Sequence, residues 1–213
     1  MAAATEEHDY APFTREHLFV LFGITLVGVV LRLFRLGDWS FWIDEAHTWR
    51  DVRAPIDEFW HGQTSYYPLS YLLLRGMVAW FQSETEGLLR LPFAFFGMMS
   101  VPALAIVGRN VVGRGGALIA ALLLAVCPWH IYWSQSARSY SIVLFFVLMA
   151  AGTFYTAILR RSVVLHLTAL ALVIVAGLCH PSAYIMLATL LVFLALQLVW
   201  RQRRTVPGPR RTC

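Results

Sequence analysis

Long uncharged apolar segments dominate the chain, and their spacing predicts a helical membrane protein. The runs reach the roughly 17–25 residues that a helix needs to cross about 30 Å of hydrocarbon, and they lack the short alternating pattern of a transmembrane strand. The predicted fold is an all-α polytopic membrane protein with about six transmembrane helices plus two juxtamembrane helices in the first external loop. The six helices are placed at about Leu18–Leu36, Leu91–Val107, Gly116–Trp133, Tyr140–Leu159, Val163–Cys179 and Ala183–Trp200.

Residues 37–88 are predicted to form an external loop with structure of its own. The loop is rich in Trp and Tyr, which collect at the headgroup level of a bilayer because one edge of the ring stays wet. Apolar and charged residues mix at roughly helical spacing after Glu45, and Pro68–Phe81 is apolar but short. We expect two short helices on the bilayer surface, with Trp39 and Trp42 packed against the membrane helices.

The distribution of Arg predicts which side each loop occupies. Cytoplasmic loops are enriched in Lys and Arg. From the second helix onward, if the helices alternate, one side of the membrane receives nine Arg residues while the opposite loops between these helices receive Arg138 alone. Both termini are then cytoplasmic, in a multi-pass protein of the inner membrane. Residues 1–17 form a cytoplasmic tail and residues 201–213 a basic cytoplasmic tail of a single transmembrane domain, 1–213. The nine are Arg109, Arg114, Arg160, Arg161, Arg201, Arg203, Arg204, Arg210 and Arg211.

One alternative topology stays open, because it depends on whether Pro68–Phe81 crosses the membrane. A crossing would move Asp44 to the cytoplasm and the N-terminus outside. Arg32, Arg35, Arg50 and Arg53 follow the first helix and favour that alternative. However, about 14 residues with an internal Arg is short for a span. Arg32 and Arg35 can snorkel or pair with acids of the loop.

Composition excludes several classes of protein. With 59% hydrophobic residues and a mean hydropathy of +0.63, the chain is too apolar for a soluble globule. The net charge of +5 does not indicate nucleic-acid binding, because the Arg residues stand at the ends of apolar segments. The first 17 residues are acidic rather than basic, which predicts an uncleaved anchor instead of a signal peptide.

Acidic residues are confined to the first part of the chain, at or before Glu86. Any carboxylate chemistry must therefore come from this part, and the adjacent pair Asp44-Glu45 is the best placed. An acid kept beside a bilayer is costly to desolvate and is by default a candidate for function. The alternative is structural, since a carboxylate at a helix N-terminus also interacts favourably with the helix dipole.

Four stretches, in order, resemble the membrane glycosyltransferases of the GT-C fold. The nearest similar families are the dolichyl-phosphate-mannose protein mannosyltransferases and the bacterial aminoarabinose transferases, and the likeness covers about residues 33–159, with a weaker fit at 177–181. The stretches are Arg35-Leu36-Gly37-Asp38-Trp39-Ser40-Phe41-Trp42-Ile43-Asp44-Glu45-Ala46, Tyr66-Tyr67-Pro68-Leu69-Ser70-Tyr71-Leu72-Leu73-Leu74, Leu89-Arg90-Leu91-Pro92 with Val107-Gly108-Arg109, and Trp133-Ser134-Gln135-Ser136-Ala137-Arg138-Ser139-Tyr140.

The resemblance implies an enzyme that transfers a sugar from a polyprenyl-phosphate donor to an acceptor on the outer face of the membrane. Asp44 would be the general base that takes the proton of the acceptor hydroxyl. Glu45 would orient Asp44 or hold the acceptor. A solvent-exposed carboxylate is a weak base, and partial burial at the bilayer edge would strengthen it.

The resemblance also implies a set of substrate-binding residues. Arg138 would hold the leaving lipid phosphate, since a guanidinium binds phosphate through two parallel hydrogen bonds. Tyr66, Tyr67, Tyr140 and His180 would bind substrate beside it. An ordinary contact with lipid headgroups is the equally weighted alternative for Arg138.

The sequence departs from the family pattern at several positions. Ser136 stands where relatives often carry Glu, and Tyr66 and Tyr67 stand where relatives often carry His, Lys or Pro. His47 lies one helical turn from Asp44, but scattered His residues are more often hydrogen-bonding groups than metal ligands. We therefore expect no metal and no cofactor, and membrane lipids as the remaining partners.

Length is the largest departure, because family members usually have about twice as many helices. The chain is expected to be the N-terminal part of a larger GT-C module, so a truncated non-catalytic membrane fragment is one alternative. A lipid or solute carrier subunit, with Asp44 and Arg138 along its path, is another, although no matching repeats with broken helices support it. The sequence names neither the sugar nor the acceptor, which could be a protein, a lipid or a glycan.

Overall fold

The computed structural model describes residues 12–58 and 60–205, and in this part of the chain it contains α-helices and no β-strand. Two short 3₁₀ turns, Gly62–Tyr66 and Pro181–Ala183, stand between the helices. The α-helices are α1 (Arg15–Leu33), α2 (Ile43–Arg53), α3 (Pro68–Phe81), α4 (Glu86–Val126), α5 (Pro128–Ser134), α6 (Tyr140–Arg160), α7 (Val163–Cys179) and α8 (Tyr184–Thr205).

The predicted helices correspond closely to the observed ones at most positions. Helix α7 has the predicted bounds and α6 extends one residue further. Helix α1 begins three residues earlier because Thr14 is its N-cap and accepts a hydrogen bond from the His17 N–H. The two predicted loop helices are α2 and α3.

Helix α4 is a hairpin rather than one straight rod. Gly113 has φ 73° and ψ 174°, which interrupts the helix in a conformation that suits glycine. A Cβ atom built on Gly108 would lie 3.7 Å from the Cβ of Ala117. In a straight helix, residues nine apart are separated by about 13 Å. The chain therefore folds back at Gly113, as the second and third predicted helices require.

The third predicted helix, Gly116–Trp133, is wrong as a continuous element. It ends at Val126, and α5 begins at Pro128. Cys127 between them has φ −65° and ψ 114°, because the residue before a proline is pushed out of the helical region.

Within residues 12–58 and 60–205, three helices are long and apolar enough to cross a membrane, namely α1, α4 and α6. Two shorter apolar helices, Val163–Cys179 and Pro181–Leu196, accompany them. Large apolar side chains such as Phe19 and Val163, 77% and 72% exposed, cover the outer surfaces, as expected where lipid replaces water. The count of six spans stays a prediction.

The loop of residues 37–88 packs onto one end of the helix bundle. Val52 of α2 and Tyr71 and Leu74 of α3 are buried in one cluster with Leu89, Phe93, Ile142 and Cys179. The Ser70 hydroxyl also donates to the Cys179 carbonyl at 3.2 Å. We call this the loop end of the bundle, defined by residues 36–45, the start of α4, α5 and the end of α7.

Helix α3 lies across the loop end. Its first turn contacts Cys179, and beyond its last residue Glu84 accepts a hydrogen bond from the Trp49 indole at 3.1 Å. In its middle, Arg75 donates to the Val52 carbonyl at 2.9 Å. The start of α3 therefore contacts the bundle, while its other end is tied to α2 and is followed within five residues by the start of α4. Both ends of α3 thus lie near the loop end, which is the arrangement expected of a helix that does not cross the membrane.

The two Arg residues after the first span behave differently. Arg35 pairs with Asp38 of the loop at 2.7 Å, as expected. Arg32 does not pair with an acid or snorkel: it is fully buried and donates to the carbonyls of Gly28, Leu124 and Ala125. Its guanidinium satisfies carbonyls at the end of α4, which have no partner within the helix.

We predict that the loop end faces the outside of the cell. Single Cys residues at the exposed positions Ser40 and Ser182 should react with an impermeant maleimide in intact cells. A Cys at Gly115, which has open space for a Cβ atom, should react only after permeabilisation. Cys127, Cys179 and Cys213 are replaced by Ala in the background used for labelling. Labelling at Ser182 without labelling at Ser40 would mean that α3 crosses.

Candidate active site

A buried ion pair between Glu45 and Arg90 is the centre of the loop end. Arg90 Nε lies 2.9 Å from Glu45 Oε1 and Arg90 Nη2 lies 2.7 Å from Oε2, and the two side chains are 4% and 1% exposed. The backbone N–H groups of Ala137 and Trp42 donate to the same two oxygens at 2.7 and 3.4 Å. The carboxylate thus accepts four hydrogen bonds, about its full capacity.

Arg90 also fixes the chain that leads into α2. Its guanidinium donates to the carbonyls of Leu36, Trp39 and Ser40, at 3.1, 2.9 and 3.3 Å. These contacts join the end of α1, the start of the loop and α4. Together with Glu45 they set the position from which α2 begins.

Asp44 is half-buried at the second position of α2. The N-cap of this helix is Trp42, so Asp44 is not the capping residue, but it lies in the first turn, where the helix dipole favours a carboxylate as the structural alternative expects. Its carboxylate forms no hydrogen bond and no ion pair with any other residue that the structure describes, in contrast to Glu45 beside it.

Arg138 lies against the same helix as Asp44. Its Nη1 atom is 3.3 Å from the hydroxyl oxygen of Thr48, and that hydroxyl donates to the Asp44 carbonyl at 3.0 Å. Thr48 is one helical turn after Asp44, so the two residues share a face of α2. The loop after α5 therefore brings Arg138 to within one helical turn of Asp44.

Three of the predicted substrate-binding residues meet beside Arg138. The ring of His180 lies 5.0 Å from that of Tyr67 and 5.2 Å from that of Tyr140, measured between centroids. Tyr66 does not join them: it is 63% exposed. Trp39 is likewise exposed and does not pack as expected, whereas Trp42 contacts Trp133 with centroids 6.2 Å apart.

Two cavities open at the loop end. One, of about 10 Å³, is lined by Arg138, His180, Tyr67 and Thr48 among others, and holds about one water molecule. The other, of about 300 Å³, is lined by Trp39, Trp42, Arg90, Tyr132, Gln135 and Ser136 among others. Only the second is in the range of about 300–1,000 Å³ usual for ligand sites.

Burial shifts two titratable groups at the smaller cavity. Burial first, and then the charge of Arg138, lowers the pKa of His180, so this imidazole stays neutral at neutral pH. Burial, followed by the Asp51 carboxylate, raises the pKa of Tyr71 to about 12. The cavity therefore presents one guanidinium among neutral donors and acceptors.

The His residues do not assemble into a metal site. Among residues 12–58 and 60–205, no three His, Cys, Asp or Glu side chains are close enough to hold a metal ion. His47 is exposed on α2, and His130 contacts Arg32 at 2.6 Å.

Sequence reasoning missed the roles of Arg90 and Thr48. The role of Arg90 could have been inferred from the sequence, because a charged residue near the end of an apolar helix needs a partner. All Asp and Glu residues lie within the first 86 positions, so an acidic partner for Arg90 had to come from that part of the chain. Nothing in the sequence marks Thr48.

The apolar helices and their exposed apolar surfaces define an integral membrane protein of helical type. A model of the dolichyl-phosphate-mannose-protein mannosyltransferase family matches residues 65–209, more than half of the chain. The chain belongs to this family of GT-C type membrane glycosyltransferases. Comparisons with curated proteins and with solved structures found no match. The matched region includes Arg138 and His180 but not Asp44.

We predict that removing one partner of the buried pair destabilises the fold strongly. Arg90→Met leaves the Glu45 carboxylate buried and uncompensated, which typically costs about 3–5 kcal/mol. Thermal unfolding in detergent measures the change. Asp38→Asn is the control, because the Arg35–Asp38 pair is about half exposed and such pairs contribute at most about 1 kcal/mol. Equal losses in the two variants would contradict a central role for Glu45–Arg90.

We also predict that acid destabilises the site through His180. Since the folded state lowers its pKa, the folded state binds fewer protons than the unfolded state. The cost of charging His180 is absent above the unfolded pKa of about 6.5 and grows as the pH falls below it. His180→Gln should flatten the dependence of the melting temperature on pH between about 7 and 5. His47→Gln, on an exposed position, should leave it unchanged; an unaltered slope in His180→Gln would refute the prediction.

Proposed function

We propose that this chain supplies the donor-binding and base-bearing part of a glycosyltransferase that uses a polyprenyl-phosphate sugar at the outer face of the inner membrane. The acceptor hydroxyl attacks the anomeric carbon, its proton passes to Asp44, and the bond to the lipid phosphate breaks. The polyprenyl phosphate leaves against Arg138.

The observation that carries this proposal is the approach of Arg138 to the helix that bears Asp44. A base and a leaving-group cation must flank one anomeric carbon, and they come here from different loops. The contact of Arg138 with Thr48 brings them to one face of α2. The absence of a described partner for the Asp44 carboxylate leaves it available for the acceptor proton.

Glu45 has a positioning role in this proposal. With four hydrogen bonds accepted from protein donors, its oxygens have no free site for an acceptor. Successive residues of a helix are rotated by about 100°. Fixing Glu45 towards Arg90 therefore fixes the direction in which Asp44 points.

Donor binding requires the smaller cavity to open. A cavity of about 10 Å³ cannot hold a sugar. The hydrogen bond between Arg138 and Thr48 therefore has to break when the donor phosphate binds the Arg138 guanidinium. Tyr67, Tyr140 and His180 then line the donor. The larger cavity beside Trp42 suits the acceptor, and Ser136, where relatives often carry Glu, lies in its wall.

We predict that Asp44→Asn abolishes transfer while leaving donor binding and the fold largely intact. The amide keeps the shape of the side chain but cannot take a proton. Transfer is measured in membranes with a polyprenyl-phosphate mannose donor, in the longer protein if the reading frame continues past Cys213. Asp38→Asn, in the same loop, should transfer normally. Full transfer activity in Asp44→Asn would show that Asp44 is not the general base.

We predict that Arg138→Ala weakens donor binding. The loss of a charged hydrogen bond is worth about 1.5–3 kcal/mol, or roughly ten- to hundredfold in Kd. Binding of polyprenyl phosphate to the purified protein measures it. Arg35→Ala is the matched control for donor binding, because Arg35 lies at the same end of the bundle but lines the larger cavity instead of the smaller one, and it pairs with the half-exposed Asp38 carboxylate. An unchanged Kd in Arg138→Ala would leave Arg138 as a headgroup contact only.

A further inference from the structure

A second polar cavity lies at the end of the bundle opposite the loop end. It has a volume of about 470 Å³ and is lined by Arg109 and Asn110 of α4 and by Thr156, Leu159 and Arg160 of α6. Arg109 is nineteen residues after Arg90 on the same helical arm, which places it about 28 Å from the loop end. This cavity is therefore separate from the candidate active site.

Three donor side chains at this cavity, those of Arg109, Asn110 and Arg160, form no hydrogen bond within the part of the chain that the structure describes, whereas the Thr156 hydroxyl donates to the Gly152 carbonyl at 2.8 Å. The Arg109 Nε atom is buried and has no hydrogen-bond partner. The Asn110 amide and the Arg160 guanidinium make no hydrogen bond with the residues that the structure describes. A buried donor without a partner costs free energy, so such a group indicates that something else satisfies it.

The cavity is positively charged and has a fixed wall. No Asp or Glu occurs between Gly87 and Cys213, and Glu86, the one acid of α4 to α8, stands at the first residue of α4, at the opposite end of its helical arm from Arg109. The Arg109 guanidinium lies over the ring of Phe13, 5.4 Å from its centroid. This contact holds the guanidinium against the start of α1 and limits how far it can turn away.

We propose that this cavity binds a phosphate-ester anion, held between the guanidinium groups of Arg109 and Arg160 with the Asn110 amide as a further donor. Arg binds phosphate oxygens through two parallel hydrogen bonds, and basic pockets between membrane helices suit the headgroups of anionic lipids. Because the cavity lies where the apolar surface of α4 and α6 ends, the phosphate of a membrane lipid can enter it from the side. A free phosphate ester offers the same chemistry.

The test uses the purified full-length chain in a neutral, lipid-free detergent. Native mass spectrometry measures Kd for phosphatidylglycerol and, separately, for phosphatidylcholine. We expect tighter binding of phosphatidylglycerol, and a Kd raised about tenfold or more in Arg109→Gln and in Arg160→Gln. Arg161→Gln is the matched control, since Arg161 is exposed, adjacent in sequence and outside the cavity wall. It should bind as the unaltered chain does.

The source of the phosphate is distinguished by competition with inorganic phosphate. If millimolar phosphate displaces phosphatidylglycerol from the unaltered chain, and this displacement is lost in Arg160→Gln, the cavity is assigned to free phosphate esters. If phosphate does not displace the lipid, the cavity is assigned to the lipid. Equal Kd values for the two lipids, or an equal loss in Arg161→Gln, would overturn the proposal. If Arg109→Gln does not fold, the exposed Arg160 still provides the variant that decides.

Discussion

The arrangement of the loop end depends on one buried ion pair, Glu45–Arg90. Two desolvated charges are costly, and they are tolerated here because every oxygen of the carboxylate and most of the guanidinium is hydrogen-bonded. The pair joins α2 to α4, and the Ala137 N–H ties the loop before α6 to the same carboxylate. Three segments distant in sequence are thus held at a single point.

Such a buried pair fixes the relative positions of the segments that it joins more than it adds to the stability of the fold. A well-packed apolar replacement of both partners is often as stable, so the functional consequence is geometric. With Glu45 turned inward, Asp44 and Thr48 occupy a neighbouring face of α2, and Thr48 meets Arg138. In this proposal Asp44, as the base, owes its position to the adjacent Glu45, whose role is to position it.

The sequence predicted the helices better than the contacts between them. Helix α7 and the short helix α3 have their predicted bounds, because their apolar runs end at strong local signals. For α3, Pro68 marks the start, and Gln82 directly after the helix adopts the left-handed conformation. The break at Cys127 was missed, although Pro128 announces it. The approach of Arg138 to the helix that bears Asp44 was expected only from a family resemblance, and the pairing of Glu45 with Arg90 was not predicted. Two partners that are 45 residues apart in sequence produce no periodic pattern from which their contact could be predicted.

The uneven distribution of acids gives the two ends of the bundle different chemistry. At the loop end, carboxylates from the first 86 residues are available, so Arg90 finds Glu45 and Arg35 finds Asp38. At the far end, α4 and α6 bring Arg109 and Arg160 from a stretch of the chain, residues 87–213, that contains no acid, and Arg109 retains a buried donor without a partner in the described part of the chain. Charges that the protein satisfies internally fix a site, whereas charges that it leaves open are available to the membrane and its phosphates. In these proposals Arg serves structure at position 90, where an acid pairs with it, and phosphate recognition at positions 138, 109 and 160, where no ion pair with an acid is formed among the described residues.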